Sequence, residues 1–155
     1  MRDDRSILEY LYPRLRRFAA VVGARDADPD DLVQEAMVRA LRRGPIADLD
    51  DPTAYLRRTI LNLVLNERRS AARHRRAVGR LGAHASDPVV PSYPSDVDDL
   101  LRLAPDVRAV LFLAEVEGHS YARIGDLLAC TEEAARARAA RGRRRLRDEL
   151  TREGA

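Results

Sequence analysis

Seven arginines, Arg136, Arg138, Arg141, Arg143, Arg144, Arg145 and Arg147, follow one another before the next acid at Asp148. A guanidinium stays charged and presents a planar fork of donors, so this set suits phosphate oxygens and base edges rather than proton transfer. Nothing else in the chain is arranged for catalysis. His74, His84 and His119 are scattered, no Cys/His ligand spacing occurs, and no glycine-rich phosphate loop is present. The single Cys130 reads as a small buried residue in a turn, and Tyr121 as core. The sequence therefore describes a binding protein, not an enzyme, with no catalytic residue, metal or cofactor.

The arginines need an element that lines them up. Thr131 is a good N-cap, Glu132 and Glu133 suit the positive end of a helix dipole, and no proline follows before Leu150. Ala135, Ala139, Gly142, Leu146 and Leu150 recur every three or four residues and predict one narrow seam against a neighbour. Only Ala129 and Cys130 separate the Thr131 cap from a preceding helix capped by Ser120, with Tyr121, Ile124, Leu127 and Leu128 inside. That pair describes a helix-turn-helix whose second helix would enter the major groove, the alternative for its arginines being a solvated basic face. Glu132, Glu133, Arg136 and Arg138 then fall near base edges, and Arg141, Arg143, Arg144 and Arg145 near phosphates.

The rest of the chain supports these two helices. An amphipathic helix runs from about Ser6 to Gly23, through Ile7, Leu8, Leu11, Leu15, Phe18, Ala19 and Val22. Asp28-Pro29 starts a second, ending at Arg43 before Gly44-Pro45, with Leu32, Val33, Ala36, Met37, Ala40 and Leu41 as its buried stripe. Asp51-Pro52 starts a third, which turns Leu56, Ile60, Leu63 and Val64 inward and Arg57, Arg58, Asn62, Asn66, Arg68 and Arg69 elsewhere. Periodicity dissolves from Gly79, where prolines and glycines predict a linker; Asp96 to Leu103 predicts a short helix and Pro105 starts another that ends at Gly118. The fold class is all-α, with two small helical domains at 1–78 and 96–155 joined by a flexible linker at 79–95.

Charge is segregated along this order. All 28 basic residues are arginine, and the net charge is +3. Residues 57–80 hold 8 arginines against 1 acid, and residues 131–155 hold 8 against 5, whereas residues 81–106 hold 1 against 5. Two basic blocks flanking an acidic one suit contact with a polyanion at two places. No apolar run nears the roughly 20 residues of a membrane span, and the start, MRDDRS, lacks a signal-peptide core, which places the protein in the cytoplasm with no membrane insertion.

Three stretches, DADPDDLVQEAMVRAL, AYLRRTILNLVLNERRS and LAPDVRAVLFLAEVEGHSYARIGDLLACTEEAARARAARGRRRLR, resemble in order regions 2.1–2.2, 2.3–2.4 and 4 of the sigma-70 family of RNA polymerase sigma factors, in its extracytoplasmic function group. The resemblance implies a sigma factor that binds core RNA polymerase through the beta-prime clamp and the beta flap and recognises promoter DNA. It implies that Asp31, Leu32, Gln34 and Glu35 bind the clamp, with Leu32 also core. It implies that Asn62, with Asn66 on the same helix, reads the −10 element while Arg57, Arg58, Arg68 and Arg69 hold its backbone. Glu132, Glu133, Arg136, Arg138, Arg141, Arg143 and Arg144 are implied to take the −35 element. Tyr55 stands where the family has tryptophan, and the Gly44–Asp51 loop corresponds to the segment that captures a flipped base. An anti-sigma factor is the further partner implied. The alternatives are a free-standing helix-turn-helix regulator and a sigma-like protein that binds polymerase without melting DNA.

Overall fold

A computed structural model describes residues 3–80 and 100–154. It contains six α-helices and a short 3₁₀ turn among those residues, and no strand. Helix α1 (Asp4–Val22) starts two residues before the expected Ser6. Asp3 is the cap, its side chain accepting from the Ser6 N–H at 2.9 Å. Helix α2 (Pro29–Arg43) starts at Asp28-Pro29 and ends at Gly44, as its sequence signals require. Helix α3 (Pro52–Arg80) starts at Asp51, whose carboxylate accepts the Ala54 N–H at 3.0 Å, and continues through Gly79 to Arg80. Between them, Ile46–Asp48 forms the 3₁₀ turn; Ile46 is fully buried, and the Ala47 N–H donates to Asp4 at 3.0 Å.

The second half begins, among described residues, at Leu100. The predicted helix at Asp96 to Leu103 falls partly, and the linker at 79–95 mostly, outside the described residues. Helix α4 (Pro105–Leu111) widens into a π-helical turn over Phe112–Val116, where the Glu117 N–H reaches back to Phe112 O. Helices α5 (Tyr121–Leu128) and α6 (Glu132–Glu153) follow, capped by Ser120 and Thr131.

Helices α1, α2 and α3 enclose Leu15, Phe18, Val22, Val33, Ala36, Ile46, Leu56 and Ile60; α4, α5 and α6 enclose Ala109, Val110, Leu113, Ile124, Ala135 and Ala139. These two cores meet. Helices α1 and α3 pack on α4 and α5, bringing the Phe18 and Phe112 rings to 6.3 Å at a tilted angle.

Three sequence expectations fail for physical reasons. Leu41 is 44% exposed because it lines an open groove between α1 and α2 with Leu8, Tyr12 and Met37. Leu150 is 55% exposed because α6, 22 residues long, outruns the short α4 and π turn it packs on. Arg57, expected on the outer face of α3, is 2% exposed because it meets the second half of the chain.

Candidate nucleic-acid interface

The helix-turn-helix is built by close backbone approach. Ala129 ends α5 in the left-handed conformation at φ 56°, and the Cys130 N–H donates to Gly125 O at 2.9 Å. A Cβ on Gly125 would sit 2.6 Å from Cys130 O, so only glycine lets the start of α6 pass this near. Farther along, Gly142 lies against Val107 and Leu111 of α4. The seam of Ala135, Ala139 and Gly142, buried, with Leu146 half-buried beside it, is the expected one except at Leu150, which is exposed.

This seating sorts the α6 arginines into two sets. Arg138 lies 3.3 Å from Asp106 of α4, and Arg143 donates to Glu115 and to the Tyr121 hydroxyl at 2.8 Å. Glu115 first and Tyr121 second raise the Arg143 pKa above its usual value. Both guanidiniums thus tie α6 to its own half. Arg136 stays exposed, held by Glu132 at 2.8 Å and stacked over the Tyr121 ring at 5.5 Å. Arg141, Arg144, Arg145 and Arg147 are exposed without an acidic partner among the described residues. Glu132 and Glu133 are exposed at the tip.

In the first half, Asn62, Asn66, Arg68 and Arg69 are exposed on α3, and Arg58 is half-buried. Sequence reasoning left Arg73, Arg76 and Arg80 out of the site, yet all three are exposed on the same helix. Asn62, Asn66, Arg69, Arg73, Arg76 and Arg80 recur at four- and three-residue steps, so they form one stripe about 27 Å long. That alternating spacing was the available signal. Arg57 is apart from the stripe, paired with Glu117 at 2.5 Å and 5.5 Å from the Phe18 ring centre.

Asp31, Gln34 and Glu35 are exposed on α2, whereas Leu32 is core. Asp31 and Glu35 share a cleft of about 630 Å³ with Asn66 and Glu67 of α3. Tyr55 is half-buried, its hydroxyl accepting from Arg43 at 3.2 Å.

Two family models match this geometry in chain order: Sigma-70 region 2 over residues 7–74, and Sigma-70, region 4 over residues 100–146. RNA polymerase sigma factor CarQ of Myxococcus xanthus is 33% identical over 150 residues, spanning 89% of this chain and 83% of CarQ. The chain belongs to the sigma-70 family, in its extracytoplasmic function group. A probable ECF sigma factor, SigI of Mycobacterium tuberculosis, is 32% identical over 133 residues; the match covers 77% of this chain but 46% of SigI. In fold, the chain resembles the sigma factor RpoE of Bartonella quintana, solved with the anti-sigma factor NepR, at a TM-score of 0.71 and 22% identity over 95% of this chain and 96% of that one. As a sigma factor the chain binds core RNA polymerase and directs promoter-specific transcription initiation. Region 2 corresponds to α1–α3 and region 4 to α4–α6. No helix among the described residues is long and apolar enough to cross a membrane.

Proposed function

We propose that this sigma factor holds the −10 region along the α3 stripe from Asn62 to Arg80 and the −35 duplex on the exposed face of α6. The exposed stripe on α3 carries the reading. Its two asparagines offer donors and acceptors for base edges, and its four arginines track a backbone. On α6, Arg136 reads bases near the tip, with Glu132 fixing its fork, while Arg141 and Arg144 hold phosphates. Arg138 orients α6 by gripping Asp106 of α4, and Arg143 by gripping Glu115 of the π turn and Tyr121 of α5. Asp31, Gln34 and Glu35 form the polymerase-facing edge of α2, beside the cleft that leads to Asn66. The protein works in the cytoplasm, and an anti-sigma factor covers it when idle, a partner suggested by the NepR complex of the RpoE neighbour.

Run-off transcription with purified core polymerase on a promoter library tests this. Promoter-dependent transcripts that disappear with Arg69→Ala plus Arg73→Ala are expected. Polymerase binding without transcripts would instead mark a sigma-like protein that opens no DNA, and DNA binding without polymerase contact a free-standing regulator.

A further inference from the structure

Helices α1, α3 and α5 converge on a cleft of about 500 Å³, a size within the roughly 300–1,000 Å³ of small-molecule sites. Its lining is basic. Arg14 and Arg17 come from α1, Arg57 from α3 and Arg123 from α5, and these four arginines face the two carboxylates of Asp51 and Glu117. The excess of positive charge sits where three elements meet, not along one solvated helix face.

The two carboxylates leave most of the guanidinium donors unused. Glu117 takes one terminal nitrogen of Arg57 at 2.5 Å, and Asp51 takes one of Arg123 at 2.9 Å. Arg57 is 2% exposed and lies 5.5 Å from the Phe18 ring centre, and its Nε is buried with no acceptor. Buried donors seldom go unmet, because nothing then offsets their desolvation. An anion oxygen in the cleft would supply the missing acceptor. Arg17 has the Pro13 carbonyl at 3.4 Å, Arg14 has the face of Tyr10 at 5.7 Å, and neither has a carboxylate partner among the described residues. Thr53 adds a hydroxyl to the same cleft from the first turn of α3, at the positive end of a 29-residue helix. Planar forks approaching from several sides, with a hydroxyl beside them, suit a phosphoryl group better than a carboxylate, since it offers more acceptor oxygens and up to two negative charges.

We propose that this cleft binds a small phosphorylated molecule, with Arg57 holding the phosphoryl group at the floor and Arg14, Arg17 and Arg123 at the mouth. The occupant is a small molecule and not a nucleic-acid strand, because Arg57 lies too deep for the backbone of a duplex to follow. Leu127, 2% exposed, gives the organic part of such a molecule an apolar wall. The site is separate from the promoter reading above, which assigns nothing to α1 or α5.

Isothermal titration calorimetry of the full chain, with inorganic phosphate and with adenosine monophosphate at one ionic strength, tests it. Saturable binding of one anion per chain is expected. Equal affinities would identify free phosphate as the sufficient ligand, and tighter binding of the nucleotide would identify an organic phosphate. Arg17→Ala should weaken binding at least about fivefold, and Arg57→Lys, which keeps a charge beside Glu117 but loses Nε and the fork, at least about tenfold. Circular dichroism checks that both remain folded; if the lysine variant loses helix content, Arg17→Ala decides alone. Arg42→Ala combined with Arg75→Ala removes two exposed arginines outside the cleft and should change affinity less than about twofold. Dissociation constants above about 10 mM for both anions would overturn the proposal. So would equal weakening in the Arg42, Arg75 variant and in Arg17→Ala, which would mark attraction to overall charge, or a single-stranded oligonucleotide that displaces the nucleotide with the same dependence on Arg17 and Arg57.

Discussion

Arg136 and Arg138 stand two positions apart on α6 and have opposite fates. Arg136 is exposed and braced by Glu132 and Tyr121, whereas Arg138 is spent on Asp106. Arg136→Ala should therefore cost about 1–3 kcal/mol at one base pair of the upstream element and relax sequence preference there. Arg138→Ala should lower the stability of region 4 by about 1 kcal/mol or less, since the pair is partly exposed, with little change in base preference. A competition assay against single-base variants of the element separates them; equal loss of preference in both would put Arg138 back among the reading residues. Arg73, which the sequence reading passed over, gives a different signature. Arg73→Ala should weaken binding to all promoters alike and lower the slope of log affinity against log salt by about 0.9. An unchanged slope would remove it from the stripe.

At the scale of elements, the sequence disclosed what is encoded locally. Asp28-Pro29, Asp51-Pro52, Ser120 and Thr131 each satisfy a helix start within three residues, so their starts could be read without knowing the fold. The Ala135, Ala139, Gly142 seam was likewise legible from spacing. What stayed hidden depends on distant partners. Arg57 and Arg108 are charged, and pattern reasoning turns charges outward; Arg57 is buried against an acceptor 60 positions away, and Arg108 against acceptors up to 87 positions away as well as the nearby Leu101 O and Leu103 O. The helix-turn-helix connection gives three graded tests. Gly125→Ala should destabilise region 4 by roughly 1–3 kcal/mol, because the added methyl meets a backbone oxygen that cannot yield. Gly142→Ala should cost less, since it meets the ends of Val107 and Leu111, which can rotate. Ala129→Gly should stabilise by about 1 kcal/mol by relieving a left-handed alanine. Urea unfolding of the three variants orders them, and Gly142→Ala proving the worst would contradict the close approach at Gly125.

At the scale of the molecule, the packing of region 4 on region 2 should depend on acid, and Asp51 shows why. Burial alone would raise its pKa, but the Ala54 N–H and then Arg123 outweigh that and hold it below the usual 3.8. A depressed carboxylate pKa contributes stability that is complete above about pH 4 and lost as pH falls through the lowered value. Opening removes only part of this contribution, because Ala54 lies on the same helix as the cap and stays bonded, whereas Arg123 leaves with region 4. Compaction followed by scattering should thus decline below about pH 4. Arg123→Ala should shrink that acid step and leave the start of α3 intact by circular dichroism. The pair is half-exposed, so its loss at neutral pH should shift the closed-to-open ratio by about fivefold at most. A larger shift would mean that Arg123, rather than Arg108 and Glu117, is the principal fastening between the halves; an acid step of wild-type size in Arg123→Ala would exclude Asp51 as its source.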